Sequence, residues 1–233
     1  MYNINEDHKW MEILSDDEKD SPHFRKYKRK KKRLQNLIKY IKFESNFNVA
    51  EFGCGNGIWG QLISPKIKSY AGIDFSEEFI NLARKRHKTQ GITNSQFYCS
   101  DIIKFAIEHN NEFDQAFSVD FSEHIYDDDF VNIFTAIKNT LKQGGVLYAH
   151  SPNKNYFLEL LKKYGILKQS AGHIGIRNDK EYINLLRKVG FDNIIIYYLP
   201  HYIKLFSVLH FIGYAPIVGK FFKARLLIKC IKS

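Results

Sequence analysis

The stretch Val49–Gly60, VAEFGCGNGIWG, limits what this chain can fold into more than any other part of it. A short apolar run, Phe47–Phe52, leads into three alternating glycines, Gly53, Gly55 and Gly57. A helical pattern then runs from Ile58 to Ile63 and is stopped by Pro65. Glycine admits positive φ and lets backbone approach a ligand with no Cβ in the way. In open α/β sheets, ligands bind beyond the carboxyl ends of the strands. A glycine turn at the end of a first strand is therefore the natural seat of a cofactor.

The following residues repeat the same strand-then-helix rhythm. Ser69–Ile73, Gln96–Cys99, Phe113–Val119 and Val146–His150 read as further strands. Between them, helices are expected at Glu77–Gln90 (capped by Ser76), Ile102–His109 and Asp128–Leu141, the last ended by Gly144 and Gly145. A helix at Asp179–Val189, closed by Gly190, and a strand at Asn193–Leu199 complete the regular part. Alternation of this kind predicts an α/β fold with a doubly wound, mostly parallel sheet covered on both faces. Residues 45–199 would be this domain. Residues 1–44 would be an N-terminal extension, acidic and then basic, with a helix over residues 22–44 carrying Leu34, Leu37, Ile38 and Ile41 on one face. Residues 200–233 would be an apolar and basic helical segment.

Of the 233 residues, 44% are hydrophobic, which suits a packed domain and not a disordered chain. Three scattered cysteines, Cys54, Cys99 and Cys230, form neither a disulfide framework nor a zinc spacing. The first ten residues lack the basic and apolar regions of a signal peptide. Both features fit a cytoplasmic protein. The net charge of +10 is concentrated in the run Arg25–Arg33, RKYKRKKKR, and in the last thirty residues. It raises nucleic acid or an anionic membrane surface as partners, with a solvated helix face as the plainer explanation.

The glycine turn alone does not choose the cofactor, because Gly55–Gly60 also fits the dinucleotide pattern G-x-G-x-x-G. Three features oppose a dinucleotide. The strand ends before Gly53, so this pattern begins too late. Glu51 sits where a pyrophosphate would lie and would repel it. Acidic residues also recur at the next two strand ends, as Asp74 and Asp101. E-F-G-C-G-N-G resembles the first motif of class I S-adenosylmethionine-dependent methyltransferases. GIDFSEEFINLAR, SDII, FDQAFSVDFSEHI and LKQGGVLYAHSPN resemble their later motifs, in the same order, over roughly residues 45–195. The resemblance implies a Rossmann-like methyltransferase fold, S-adenosylmethionine as cofactor and S-adenosylhomocysteine as product. It places Glu51, Gly53, Gly55 and Gly57 along the methionine end and ribose, and Asp74, followed by Phe75, on the ribose diol. Asp101 and Ile102 would hold the adenine, and Val119 would lie beside the sulfonium.

Asp120-Phe-Ser-Glu123-His124 resembles the E-x-x-E-H segment of ubiquinone-pathway O-methyltransferases, with Asp in place of the first Glu. On that likeness His124, Glu123 and Asp120 are the candidate catalytic residues, His124 as general base or substrate contact. Two carboxylates and an imidazole can bind a divalent metal. The Glu-His pair also occurs in this superfamily without one, and no metal is assigned. His150, Ser151 and His173 are expected near the site edge. Tyr27 and Trp59 are expected as lid or packing residues. The acceptor expected from the resemblance is a small molecule, lipid-like or quinone-like if Leu205–Gly219, apolar with basic flanks, lies at a membrane surface. The alternatives are an RNA methyltransferase, motivated by Arg25–Arg33, or an NAD(P)-dependent reductase. Oligomeric state is not legible.

Overall fold

The structure is a computed structural model that describes Lys9, residues 11–169 and residues 172–233. Residues 1–8 of the N-terminal extension, Trp10, Ser170 and Ala171 lie outside the described residues. A seven-stranded sheet has the order β3-β2-β1-β4-β5-β7-β6. Its strands are β1 (Asn48–Phe52), β2 (Ser69–Asp74), β3 (Ser95–Cys99), β4 (Phe113–Val119), β5 (Leu141–Pro152), β6 (Asn193–Leu199) and β7 (Arg225–Ile231). β7 runs antiparallel to both neighbours, β5 and β6, and the other pairings are parallel.

The helices are α1 (Phe24–Leu37), α2 (Ile58–Ile63), α3 (Glu77–Thr89), α4 (Ile102–Glu108), α5 (Asp127–Thr140), α6 (Phe157–Lys163), α7 (Asp179–Lys188) and α8 (Lys204–Val208). The period-two alternation of the strands sorts the core into two layers. Val49, Tyr70, Phe117, Tyr148 and Leu227 face α1, α2 and α3, meeting Tyr27, Leu34, Trp59 and Ile80. Their neighbours Ala50, Ala71, Ala116, Leu147 and Leu226 face α4, α5 and α7, meeting Phe105, Phe134 and Tyr182. Glu51 therefore projects towards the α1–α2 side, and Ser76 caps α3 by accepting from the Phe79 N–H, as expected.

Three sequence expectations need correction. The helix over residues 22–44 is shorter, because the chain tightens into a 3₁₀ turn at Ile38–Tyr40 and is extended by Ile41. Gly144 and Gly145 do not end α5; Leu141 turns extended at its C-cap and already pairs with Phe113. The left-handed Gly144 falls within the irregular start of β5. The last segment is not helical throughout. After α8 and two 3₁₀ turns, residues 225–231 become β7, inserted between β5 and β6. Burial on both faces makes RLLIKCI a nearly continuous apolar run, the pattern of an interior strand.

Candidate functional site

A cavity of about 780 Å³ opens beyond the carboxyl ends of β1, β2, β3 and β4, roofed by α1 and by the loop before α7. One end is built by the glycine turn. Gly53, Gly55 and Gly57 all have positive φ, and the N–H groups of Gly53 and Cys54 both donate to the Ile73 carbonyl. A Cβ on Gly53 would come within 2.4 Å of the Phe121 ring, so bare backbone is required there. The Asp74 carboxylate accepts the Gly55 N–H at 2.9 Å and the Ser76 N–H at 3.0 Å, tying the first turn to the second. Each of its oxygens keeps a second lone pair for a ligand. Asp101 caps α4 through Oδ1, taking the Ile103 and Lys104 N–H groups, and it lines the cavity with Ile102, Val119 and the exposed Phe75.

Glu51 is buried, with Tyr70 donating its hydroxyl to Oε2. Desolvation raises its pKa to about 8, so the carboxyl is mostly protonated at neutral pH in the ligand-free chain. Its repulsion of a pyrophosphate is thus weaker at pH 7 than the sequence implied. A cationic group beside it would favour the ionised form.

The other end is organised around Asp120, which follows β4 with φ +54. Aspartate tolerates this left-handed conformation better than most residues. Lys30 and Arg33 of α1 both donate to Oδ2, Arg33 also reaches Oδ1 at 3.0 Å, and Arg225 of β7 reaches Oδ1 at 3.1 Å. His150, its pKa lowered to about 4 by burial, is neutral and donates Nδ1–H to Oδ1 at 2.9 Å. Burial alone would raise the Asp120 pKa. Arg33, Lys30 and His150 outweigh it and hold the carboxyl well below its ordinary value.

His124, at the end of a 3₁₀ turn, donates Nδ1–H to the Gly172 carbonyl at 2.9 Å, which leaves Nε2 as the acceptor nitrogen. Desolvation by the cavity wall lowers its pKa. His173 stands edge-on to it, ring centroids 5.1 Å apart, with its own pKa lowered to about 4 by desolvation. Glu123 is buried, and desolvation with the Asp120 charge raises its pKa to about 7. Ligand atoms of Glu123, His124 and His173 lie within 4.8 Å of one another, a spacing that a metal ion could bridge. Among the described residues, Glu123 Oε2 and His173 Nδ1 have no hydrogen-bond partner.

Several residues that build this end were missed by the sequence reading. Arg177, 2% exposed, donates to the carbonyls of Ser122, Gly175 and Ile125 and to Asp127, and its guanidinium lies 4.7 Å from the Phe130 ring. It thereby straps the Ser122–Asp127 segment to the His173 loop. Lys30 and Arg33 were legible only as part of a basic run, and Arg225 only as part of a basic tail. His150 is not at the rim but buried behind Asp120, and Ser151 is buried too. Trp59 packs between Phe43 and Phe117 while one side lines the cavity, and Tyr27, on the inner face of α1, is fully buried.

Residues 49–145 match the family model described as a methyltransferase domain. The ubiquinone biosynthesis O-methyltransferase of Hydrogenovibrio crunogenus is 28% identical over 125 residues, 54% of this chain and 51% of that one. An uncharacterized RNA methyltransferase of Clostridium acetobutylicum is 32% identical over 72 residues, 31% of this chain and 16% of that one. This chain thus spans about half the length of the first relative or less. Among solved structures, a SAM-dependent methyltransferase from Archaeoglobus fulgidus superposes with a TM-score of 0.64 at 18% identity, covering 87% of this chain and 92% of that one. At that identity the likeness establishes the fold.

Proposed function

We propose that this chain, whose residues 49–145 are a methyltransferase domain on the class I fold, transfers a methyl group from S-adenosylmethionine to a small-molecule acceptor, leaving S-adenosylhomocysteine. The observation that carries this reading is one cavity with two chemically different ends. One is lined by carboxyl groups and bare backbone, the other by histidines and a clamped carboxylate.

At the first end, the left-handed glycines leave the room that a nucleoside needs, and the carboxyl groups suit a cationic, phosphate-free one. Glu51 would face the ammonium, Asp74 the ribose diol, Asp101 the adenine amine, and Phe75 and Ile102 the faces of the ring. A carboxylate offers about four acceptor sites, so Asp101 can cap α4 and still meet a ligand. Bound there, the cofactor supplies a methyl group already activated on a sulfonium. The chain's own work is then mainly to align the acceptor beside Val119 and exclude water, the largest share of the rate gain in such a transfer. His124, neutral and held by Gly172, presents Nε2 to take a proton from an acceptor hydroxyl, a contribution typically about 10²–10⁴-fold. Asp120 is an anchor for the surrounding cations, not a base, because its oxygens are already engaged and its lowered pKa makes it a weak proton acceptor.

The test is calorimetry on the full chain with S-adenosylhomocysteine and with NADH. S-adenosylhomocysteine should bind and NADH should not; the reverse would make the chain a reductase. The RNA reading is less well supported, since Lys30 and Arg33 turn into the cavity and not outwards.

A second feature favours a peripheral membrane association. No helix of the described residues is long and apolar enough to cross a membrane. Leu205, Phe211, Tyr214 and Ile217 nevertheless stand exposed on one C-terminal segment, Ile217 at 88%, followed closely by Lys220 and Lys223. Exposed apolar anchors beside cations suit the interface of an anionic bilayer.

A further inference from the structure

We infer that Met11 is a further cofactor-contacting residue, walling the cavity over the glycine turn, and that Arg86 and Asn56 are the positioning residues that hold it there and slow release of the nucleoside. This rests on the methyl-transfer reading and adds a retaining device to its donor site.

Met11 lies 45 positions before Asn56, yet it lines the cavity beside Gly55 and Asn56. A Cβ on Gly55 would stand 3.5 Å from Met11 Cε, so the end of this side chain lies against the bare backbone of the turn. The Met11 carbonyl accepts from Asn56 Nδ2 at 2.8 Å and from Arg86 Nη2 at 3.0 Å, which uses both of its lone pairs. Two residues on, Ile13 is buried in the core layer that holds Tyr27 and Trp59. The Leu14 carbonyl accepts from Arg86 Nη1 at 3.5 Å and from Gln90 Nε2 at 3.4 Å, and the Leu14 N–H donates to Glu18 Oε1 at 2.7 Å. Residues 11–14 are thus a strap laid across the turn and fixed at both ends.

Arg86 serves the turn and the strap at once. It belongs to α3, is fully buried, and its guanidinium lies 5.5 Å from the Tyr27 ring. Its Nε–H donates to the Asn56 carbonyl at 2.8 Å. The next residue, His87, takes the next carbonyl of the turn, Nε2–H donating to Gly57 at 3.0 Å while the Ser95 hydroxyl donates to Nδ1 at 2.8 Å. The Gly57 carbonyl can only accept, which fixes this tautomer. α3 therefore grips two consecutive carbonyls of the turn, and through Arg86 it reaches on to the strap. Burial lowers the Arg86 pKa to about 10, so the side chain is still charged at neutral pH. A buried charge is costly, and His87 shows that a neutral donor is enough to hold a carbonyl of the turn. Only a long side chain with several donors in a fixed fork joins the two segments. Methionine suits a wall on a ligand that arrives and leaves, because its unbranched thioether adapts to the shape beside it.

The experiment follows release of radiolabelled S-adenosylhomocysteine from the full chain after a chase with unlabelled ligand, with hydrogen exchange of residues 11–18 measured alongside. In the wild-type chain, bound S-adenosylhomocysteine should slow exchange in that segment. Met11→Ala removes the wall and leaves every hydrogen bond of the latch in place; release should speed about fivefold or more. Asn56→Ala and Arg86→Met should each speed release about tenfold or more and raise exchange at residues 11–18. Arg86→Lys keeps the charge but cannot span three carbonyls, so it should restore slow release only in part. Release within about twofold of wild type in either Met11→Ala or Asn56→Ala would overturn the inference and leave Arg86 a structural tie, whatever its variants do to stability, with the donor assignment standing. Failure of S-adenosylhomocysteine to bind the wild-type chain would overturn the methyl-transfer reading first.

Discussion

Replacing Arg177 by methionine should loosen the histidine end of the cavity and leave the glycine end nearly intact. The guanidinium donates to three main-chain carbonyls, those of Ser122 and Gly175 at 2.7 Å and Ile125 at 2.8 Å, and to Asp127 at 2.7 Å. Methionine keeps much of the aliphatic volume and removes every donor. Each carbonyl left without a partner costs about 1–3 kcal/mol, and a low value near 1 is appropriate because water can reach part of the opened loop. The Asp127 pair adds at most about 1 kcal/mol, since that carboxylate is 67% exposed. Recovery of the guanidinium's own desolvation offsets part of the total, giving a net loss of about 3 kcal/mol. Urea denaturation reads that number as a lower midpoint at unchanged slope. Hydrogen exchange should show faster opening confined to residues 122–127 and 172–178. S-adenosylhomocysteine affinity should change by less than about threefold, because none of the Arg177 partners belongs to the glycine turn. Arg177→Lys keeps the charge but cannot span four acceptors, so it should recover only part of the loss. A stability change below about 0.5 kcal/mol with unaltered exchange in both segments would refute the idea that this side chain holds them together.

Asp74→Ala should weaken S-adenosylhomocysteine binding on the order of 100-fold, about 3 kcal/mol, because hydrogen bonds to the ribose and the tie to Gly55 are lost together; unchanged affinity in calorimetry would remove Asp74 from the cofactor site. Glu51, with a folded pKa of about 8 against an unfolded value of 4.5, binds a proton in the native chain that the unfolded chain has lost. Stability of the ligand-free chain should therefore fall as pH rises towards 8, by about 1.4 kcal/mol per unit where the native form stays protonated. Glu123 adds the same sign only up to about pH 7, so the slope between pH 7 and 8 should flatten in Glu51→Gln; a slope that survives the substitution would reject the assignment. Vesicles rich in anionic lipid should float with the chain at low salt, and Phe211→Ser with Ile217→Ser should abolish this. Flotation that persists in the double variant would move the membrane contact elsewhere.

The glycine half of the site was legible because each of its residues sits at a strand end next to its own turn. Glu51 is next to last in β1, Asp74 ends β2 and Asp101 lies two residues past β3, so finding the strands was enough to align them. The other half was not legible in the same way. Lys30 and Arg33 lie 90 and 87 positions from Asp120, and Arg225 lies 105 away, distances over which no periodicity speaks. β7 was hidden for a related reason. Arg225 and Lys229 make RLLIKCI look like a basic tail, whereas the first aims its charge at the site while Leu226, Leu227 and Ile228 fill both layers of the core. α6 is only seven residues long and buries none of them fully, so its pattern had little to distinguish it from loop.

Asp120 explains why one departure from the resembled motif is not a defect. Its φ of +54 is a conformation that a short polar side chain accepts more readily than glutamate does. The turn swings the carboxylate out of line with β4, towards α1 on one side and β7 on the other. There the shorter side chain meets Lys30, Arg33 and Arg225 together, with His150 closing the remaining side. A glutamate would carry its carboxylate one methylene further into the space that the cations share. The matched family region ends at residue 145, and most of the groups that complete this end come from outside it, from α1, the His173 loop and β7. The matched region thus covers Glu51, the glycine turn, Asp74 and Asp101 in full. Much of the other half belongs to the helix and strand added around it, joined through the one carboxylate whose backbone had to turn left-handed to reach them.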